Sequence, residues 1–357
     1  MTGPAGGLGP AELARVAEWL GSEAGGGVAI EGELTARLIA GGKSNLTFAL
    51  GDQSGERRWV LRRPPLGGYT PSAHDVGREF RVTRALEGAG VAVPPTVASC
   101  TDESVLGAPF TVVEFVEGVA VARRSDLEGI DRSALDAVVE GLVEALARLH
   151  DVDHVAVGLE GFGRPDGYAA RQLRRWSGQW EHLKQHHEPT VDALATRVAD
   201  RLGAGLPVQE RTSVVHGDYR IDNTLLAYDG AHDGTGAPTG SVAAIVDWEL
   251  STIGDPVADV ALMAIYRDPA LDLILGFDAA WTSQRLPDAA GLAAAYERTG
   301  GALPHWETHL GLAAYKLAVI AAGIDHRYRS GGTVGDGFDT AGQAVAPLLE
   351  RALRQLG

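Results

Sequence analysis

Between Ser213 and Leu250 the chain alternates short apolar runs with turn-forming stretches, and this pattern restricts its fold more than any other segment. Ser213 to Val215 is apolar, His216 to Asn223 is polar, and Thr224 to Ala227 is apolar again. Asp229 to Gly240 is rich in Gly and Asp, and Val242 to Val246 forms a third run that ends on Asp247. Short apolar runs bounded by Gly and Asp clusters read as strand, loop, hairpin, strand. Such a unit carries Asp218, Asn223 and Asp247 to one end of its strands. Taken singly, each of these residues has an ordinary reading as a turn residue or a helix cap.

The spacing is more telling than the single residues. His216-Gly217-Asp218, four residues and then Asn223 matches the H-R-D-x-x-x-x-N loop of protein kinases, with Gly217 in the Arg position. In that template the Asp accepts the proton of the attacking hydroxyl and the Asn holds a Mg²⁺ ion. A later Asp at a strand end bridges the metal to the nucleotide phosphates. Asp218 is therefore the candidate catalytic residue, and Asn223 and Asp247 are the candidate metal ligands.

H-G-D-Y-R-I-D-N together with I-V-D-W-E-L-S-T-I-G-D-P resembles the aminoglycoside phosphotransferase and choline kinase superfamily. The likeness is greatest to the phosphotransferase domain that some organisms fuse ahead of an acyl-CoA dehydrogenase. It runs from about Leu34 to Arg327. The resemblance implies an α+β, two-lobed, protein-kinase-like fold. Residues 1–117 would form a small antiparallel-sheet lobe that binds nucleotide. Residues 118–357 would form a larger, mainly helical lobe with the catalytic loop, the metal site and an acceptor-binding subdomain.

Taken in order, Ala11 to Leu20 reads as an amphipathic helix. Strand-like runs follow at Leu34 to Ile39, Asn45 to Leu50 and Trp59 to Arg63. In a kinase-like lobe the link Gly41-Gly42-Lys43-Ser44-Asn45 would lie over the triphosphate and offer main-chain N–H groups and the Ser44 hydroxyl. A plain hairpin turn is the other reading. Trp59-Val60-Leu61-Arg62-Arg63 occupies the place of V-A-I-K, with Arg62 where that motif has Lys. Arg is always charged and binds phosphate through two N–H groups, so the role survives the change. Alternation puts Val60 on the face of Arg62, where it would roof an adenine, and turns Arg63 the other way.

Ser72 to Leu86 reads as a helix with Ser72 as N-cap. By resemblance its Glu79 pairs with the phosphate-binding cation; the alternative is a solvated Glu beside Arg78 and Arg81. Val91 to Ser99 and Pro109 to Val116 complete the sheet. Phe110 to Gly118 resembles the family's hinge, whose main-chain groups, here Glu114 to Val116, would bond the adenine edge.

Ser133 to Leu149 is strongly helical in period, and a His at its end (His150) suits the helix dipole. Gly161 to Leu206 combines Arg171, Arg174 and Arg175 with Trp176 and Trp180. It reads either as a site for an anionic acceptor such as a CoA ester or as helices that bury Trp and keep Arg wet. His182, His186 and His187 lack zinc spacing. Asp255-Pro256 starts a helix that runs to about Tyr266, and Asp255 and Asp259 read as supports of the catalytic loop. The rest, Leu286 to Thr299, His305 to Arg329 and Ala341 to Leu356, reads as a helical subdomain in which Arg327 and Arg329 could face the acceptor.

A chain of 357 residues with 45% hydrophobic and 22% charged content suits two lobes with separate cores. A net charge of −16 argues against nucleic acid. It suits a cationic substrate, though solubility explains it equally well. A lone cysteine, Cys100, no leader-like N-terminus and no membrane-length apolar run make a cytoplasmic protein the expectation. The composite expectation is an ATP- and Mg-dependent kinase acting on a hydroxylated small molecule, with no protein partner implied. A metabolite such as a hydroxyacyl-CoA, an aminoglycoside-type antibiotic, and a pseudokinase used as a binding module are the competing readings.

Overall fold

The computed structural model describes residues 7–40, 45–55, 57–65, 75–229, 237–331 and 337–357. It divides into two compact units, residues 1–117 with 246–249, and residues 118–245 with 250–357. The segment 246–249 packs with the first unit although it lies within the stretch expected to belong to the second.

The first unit opens with helix α1 (Pro10–Gly21), which has Pro at its first turn and buries Val16 and Leu20. Strands β1 (Thr35–Ala40), β2 (Leu46–Gly51) and β3 (Arg57–Arg63) follow. Helix α2 (Val76–Leu86) starts at Asp75, whose carboxylate accepts the Arg78 N–H at 2.9 Å. Ser72, the expected cap, lies outside the described residues. Strand β4 (Thr96–Cys100), helix α3 (Glu103–Leu106) and strand β5 (Phe110–Glu114) complete the unit. Strand β4 begins later than the apolar run at Val91 suggests, because Pro94 and Pro95 have no N–H to give to a ladder.

The five strands form one antiparallel sheet in the order β1-β2-β3-β5-β4. Phe48, Leu50, Leu61, Phe110 and Val112 are buried in its core. Strand β3 lies in the middle of the sheet, so its backbone is held on both edges. Trp59, Leu61 and Arg63 are buried on one face, and Val60 and Arg62 are half-buried on the other.

The second unit begins with α4 (Arg132–His150), capped by Asp131, which accepts the Ala134 N–H at 2.8 Å. The region from Gly161 to Leu206 forms α5 (Tyr168–Leu183) and α6 (Pro189–Ala204). Trp176 and Trp180 are buried, and the Trp180 indole N–H donates to Asp192 at 2.9 Å, while Arg174 and Arg175 stay exposed. Two short ladders follow. Strand β6 (Ser213–Val215) pairs with β9 (Thr252–Gly254), and β7 (Thr224–Asp229) pairs with β8 (Ala237–Ile245), all antiparallel.

Helices α7 (Pro256–Ile265), α8 (Ala270–Leu275), α9 (Ala289–Glu297), α10 (Trp306–Arg329) and α11 (Val345–Gln355) complete this unit. Helix α8 has too few residues to show a period in sequence. No described helix is long and apolar enough to cross a membrane.

Helix α4 and strand β8 meet through glycine. A Cβ on Gly141 would lie 1.7 Å from the Gly240 carbonyl oxygen, and Gly240 itself has φ +88°. Gly141→Ala must push the helix from the hairpin, at a cost of about 1–3 kcal/mol. Gly178 lies on the exposed face of α5, and a Cβ there would meet no other atom within 4 Å. Gly178→Ala should therefore stabilise by up to about 1 kcal/mol. Urea unfolding of both variants checks this opposite pair of outcomes.

Candidate active site

In the first unit, Arg62 stands between two carboxylates. Its Nε lies 3.1 Å from Glu79 Oε2, and its Nη2 donates to Asp247 Oδ1 at 2.7 Å. Glu79 is buried on α2 and also accepts from the Asn45 side-chain amide at 3.0 Å. Burial raises the Glu79 carboxyl to about 7, with Arg62 pulling it down and Asp247 pushing it up. The reading of Glu79 as a solvated surface residue therefore does not hold: α2 turns it inward onto Arg62.

Asp247 follows β8 and has a left-handed backbone, φ 66°. That conformation is uncommon outside Gly and typical of functional turns. Oxygens of Glu79, Asp247 and Glu249 all lie within 4.8 Å of one another. Among the described residues they are the one group of three acidic, His or Cys side chains close enough to share a metal ion. Sequence reasoning passed over Glu249, although Asp-x-Glu within a single turn was there to read.

Val60 lies on the face of Arg62 and pairs in register with Val113 of β5. At the end of β5 the Glu114 N–H donates to the Pro95 carbonyl, and just beyond it the Phe115 N–H donates to that of Arg58. Among the described residues the Val116 N–H has no main-chain partner. Ser44 and its loop lie outside the described residues.

In the second unit, strand β6 delivers the loop from His216 to Asn223, which ends in a short 3₁₀ turn, Ile221–Asn223. The loop is held mainly through its backbone. Asp259 of α7 accepts the N–H of His216 at 2.6 Å and of Gly217 at 2.8 Å. Behind it, His150 Nε2 lies 3.3 Å from Asp259, and His150 Nδ1 lies 2.7 Å from the Tyr296 hydroxyl. Burial would raise the Asp259 carboxyl, but its bonds to His150 and the loop amides outweigh that and hold it low. His150 thus does more than answer a helix dipole, because it is the buried partner of the loop's anchor. Asp255 caps α7 by accepting the Val257 N–H at 3.0 Å, and its other oxygen lies 3.6 Å from His309 Nε2.

Gly217 has φ +81°, and a Cβ there would lie 2.5 Å from the Leu250 carbonyl oxygen. This explains why Gly stands where the protein-kinase pattern has Arg. The Gly217 carbonyl accepts from Lys316 Nζ of α10 at 3.0 Å. Burial pushes that amine down to about 8, although Asp218 and Asp259 pull it up. Tyr219 is fully buried and donates to the Leu142 carbonyl of α4 at 2.7 Å.

With the backbone fixed, the Asp218 carboxylate is held by its own set of donors. Asn223 Nδ2 donates to Asp218 Oδ2 at 3.0 Å and to its main-chain oxygen at 2.8 Å. Arg220 Nη2 lies 3.4 Å from Oδ2, and the Tyr266 hydroxyl donates to Oδ1. Because the Asn223 amide nitrogen is committed to Asp218, its Oδ1 is the end that can ligate a cation. Lys316 and Tyr266 were not foreseen, since nothing in a linear sequence links them to a loop so far away in the chain.

Residues 35–309 match the phosphotransferase enzyme family. The chain belongs to this family.

Human acyl-CoA dehydrogenase family member 11 is 32% identical over 335 residues, which is 92% of this chain and 41% of that protein. Mouse acyl-CoA dehydrogenase family member 10 is 32% identical over 316 residues, 87% of this chain and 28% of that protein. The chain thus spans well under half the length of these relatives. Among solved structures, a Ralstonia eutropha JMP134 protein, itself only provisionally assigned as an aminoglycoside phosphotransferase, superposes with a TM-score of 0.76 at 30% identity. The match covers 96% of this chain and 97% of that one. Aminoglycoside phosphotransferase APH(4)-Ia, in a ternary complex with ADP and hygromycin B, superposes with a TM-score of 0.61 at 18% identity, covering 95% and 97%. The family's kinase-like aminoglycoside phosphotransferase fold is therefore the fold of this protein.

The Asp259 anchor is directly testable. Asp259→Asn keeps the shape but leaves one acceptor oxygen for two main-chain N–H groups and sets an NH₂ against the other. The variant should lose about 1.5–3 kcal/mol of stability. Amide hydrogen exchange at His216 and Gly217 should rise with it, and unchanged exchange there would show that the loop does not depend on this carboxylate.

Proposed function

We propose that this chain is a small-molecule kinase that transfers the γ-phosphoryl group of ATP to a hydroxyl of a metabolite with the help of Mg²⁺. The observation that carries the reading is the Asp218 carboxylate, fixed by Tyr266, Asn223 and Arg220 and still 17% exposed at its side chain. A carboxylate held in this way has lone pairs left for a substrate hydroxyl. Asp218 orients that hydroxyl and takes its proton late, as a loose phosphoryl-transfer transition state allows.

Residues 1–117 would serve the nucleotide. Arg62 offers two N–H groups to phosphate oxygens, Val60 packs on the adenine, and the main chain of Glu114 to Val116 bonds its edge. The free Val116 N–H among the described main-chain bonds supports this. Asp247, backed by Glu79 and Glu249, and the Asn223 side-chain oxygen would supply the hard oxygen donors that suit Mg²⁺. When bound, the ion would neutralise charge on the phosphate oxygens. Arg62 occupies one Asp247 oxygen; a bound nucleotide would offer the guanidinium a phosphate partner, and Asp247 would then be a carboxylate that could hold the cation.

Residues 118–357 would hold the acceptor. Two observations support an anionic, hydroxylated thioester of the hydroxyacyl-CoA type. Relatives carry the name acyl-CoA dehydrogenase, and α5 exposes Arg174 and Arg175. A reducing, cytoplasmic setting goes with this reading, and Cys100 is buried and free.

ADP release measured against hydroxyacyl-CoAs and aminoglycosides tests the proposal. Turnover with the thioesters alone is expected. Turnover with an aminoglycoside would replace this acceptor class, and no transfer to any hydroxyl would leave a binding module. Asp218→Asn should lower kcat by about 10²–10⁴ with nucleotide affinity nearly unchanged. Asp247→Ala should abolish the Mg-dependent part of nucleotide binding in calorimetry. A parallel loss of affinity in the first variant, or normal titrations in the second, would count against these roles.

A further inference from the structure

Helix α7 grips the catalytic loop twice. Asp259, in its first turn, holds the amides of His216 and Gly217. Tyr266, the C-cap residue, holds the carboxylate of Asp218. The two are seven positions apart in sequence, two turns of one helix, and so project from the same face. A single rigid element thus sets both where the loop's backbone lies and how its reactive side chain is turned.

The direction of the second grip is fixed. Burial keeps the Tyr266 phenol well above its ordinary range, and the charge of Asp218 adds to this while Arg220 opposes it. The phenol is therefore an O–H donor, and an ionised carboxylate can only accept. Arg220 lies over the Tyr266 ring, 5.1 Å from its centroid, with Nη2 3.4 Å from Asp218 Oδ2 and Nε 3.4 Å from Asp222 Oδ1. Asn223 takes Oδ2 from the loop side, and Tyr266 takes Oδ1 from the helix side. Rotation of a carboxylate about its last torsion is soft in isolation. Donors on both oxygens, from two different elements, remove that freedom.

We propose that Tyr266 is a positioning residue for phosphoryl transfer, locking the Asp218 carboxylate in the plane from which it receives the acceptor's hydroxyl. The inference rests on the kinase reading given above. Tyr266 is buried and its hydroxyl is committed to Asp218, so on this reading it acts through that carboxylate. Its hydroxyl should therefore matter to turnover and not to binding, because orientation at the reacting atoms contributes to the barrier and not to the ground-state complex.

The test uses the full chain with Tyr266→Phe, which keeps the ring and its packing against Arg220 and removes only the hydroxyl. With Mg-ATP and the acceptor that gives ADP release, kcat should fall by about 10- to 100-fold. KM for ATP and for acceptor should stay within about twofold, since no ligand contact is lost. Adding Tyr266→Phe to Asp218→Asn should cost nothing further, because the hydroxyl acts only through that carboxylate. A kcat within about twofold of the parent, a change confined to KM, or losses that multiply in the double variant would each overturn the proposal.

A second arm does not depend on turnover. In chain labelled with ¹³C at aspartate carboxyls, the resonance that Asp218→Asn removes should move in Tyr266→Phe. If it moves while the parent chain phosphorylates no acceptor, the contact stands and the kinase reading fails. If it does not move, the role assigned to Tyr266 fails whatever the chain phosphorylates.

Discussion

The loop that carries Asp218 is stable because one buried carboxylate, Asp259, accepts two consecutive main-chain N–H groups. A polar loop in a protein interior is costly unless its backbone groups are satisfied. A strand ladder could meet that need only by flattening the loop. A carboxylate meets it with two oxygens and leaves the chain free to turn at Gly217. The His150–Tyr296 pair behind Asp259 carries the same support into α4 and α9. Lys316 meets the Gly217 carbonyl, the acceptor that Asp259 cannot serve. Once the backbone is held, the orientation of Asp218 becomes a separate matter, settled by Tyr266 and Asn223.

The first unit uses the opposite device. There a cation, Arg62, stands between Glu79 and Asp247 on a central strand. Its neighbours are acidic and include Glu249, so the group is rich in negative charge. Such an arrangement suits a site that must admit both a phosphate and a cation: the phosphate competes for the guanidinium and the cation for the carboxylates. Backbone support of the loop and an ion-pair cluster around Arg62 would both suit the proposed reaction, which depends mainly on positioning and charge neutralisation.

Much of this was legible in the sequence. The strand–loop–hairpin reading of Ser213 to Val246 corresponds to β6, β7 and β8, and the helical periods of α1, α4, α7 and α10 were read to within a few residues. The alternation that separates Arg62 from Arg63 and the Asp255-Pro256 helix start depend on neighbours along the chain, which is why they could be read. The reading of Asp259 as a loop support also holds. What escaped depends on distance. Tyr266 and Lys316 are ordinary helix residues until the fold brings them to the loop, and His150 looked like a helix-end residue until α7 packed beside it. Strand β4 started late because two prolines interrupted an apolar run, a local signal that was available and overlooked. Of the two readings of the Arg- and Trp-rich α5, the structure meets the second, since its Trp residues are buried while Arg174 and Arg175 stay in solvent.

In the proposed reaction Asp218 presents a fixed carboxylate to a substrate hydroxyl that becomes phosphorylated. Phosphorus NMR of the protein incubated with Mg-ATP and a hydroxyacyl-CoA tests it most directly. A new phosphomonoester resonance should grow in step with ADP, and should grow at least about 100-fold more slowly when Asp218 is replaced by Asn. Growth of inorganic phosphate alone, or the same phosphomonoester formed at a parent-like rate by the Asp218→Asn protein, would count against this role.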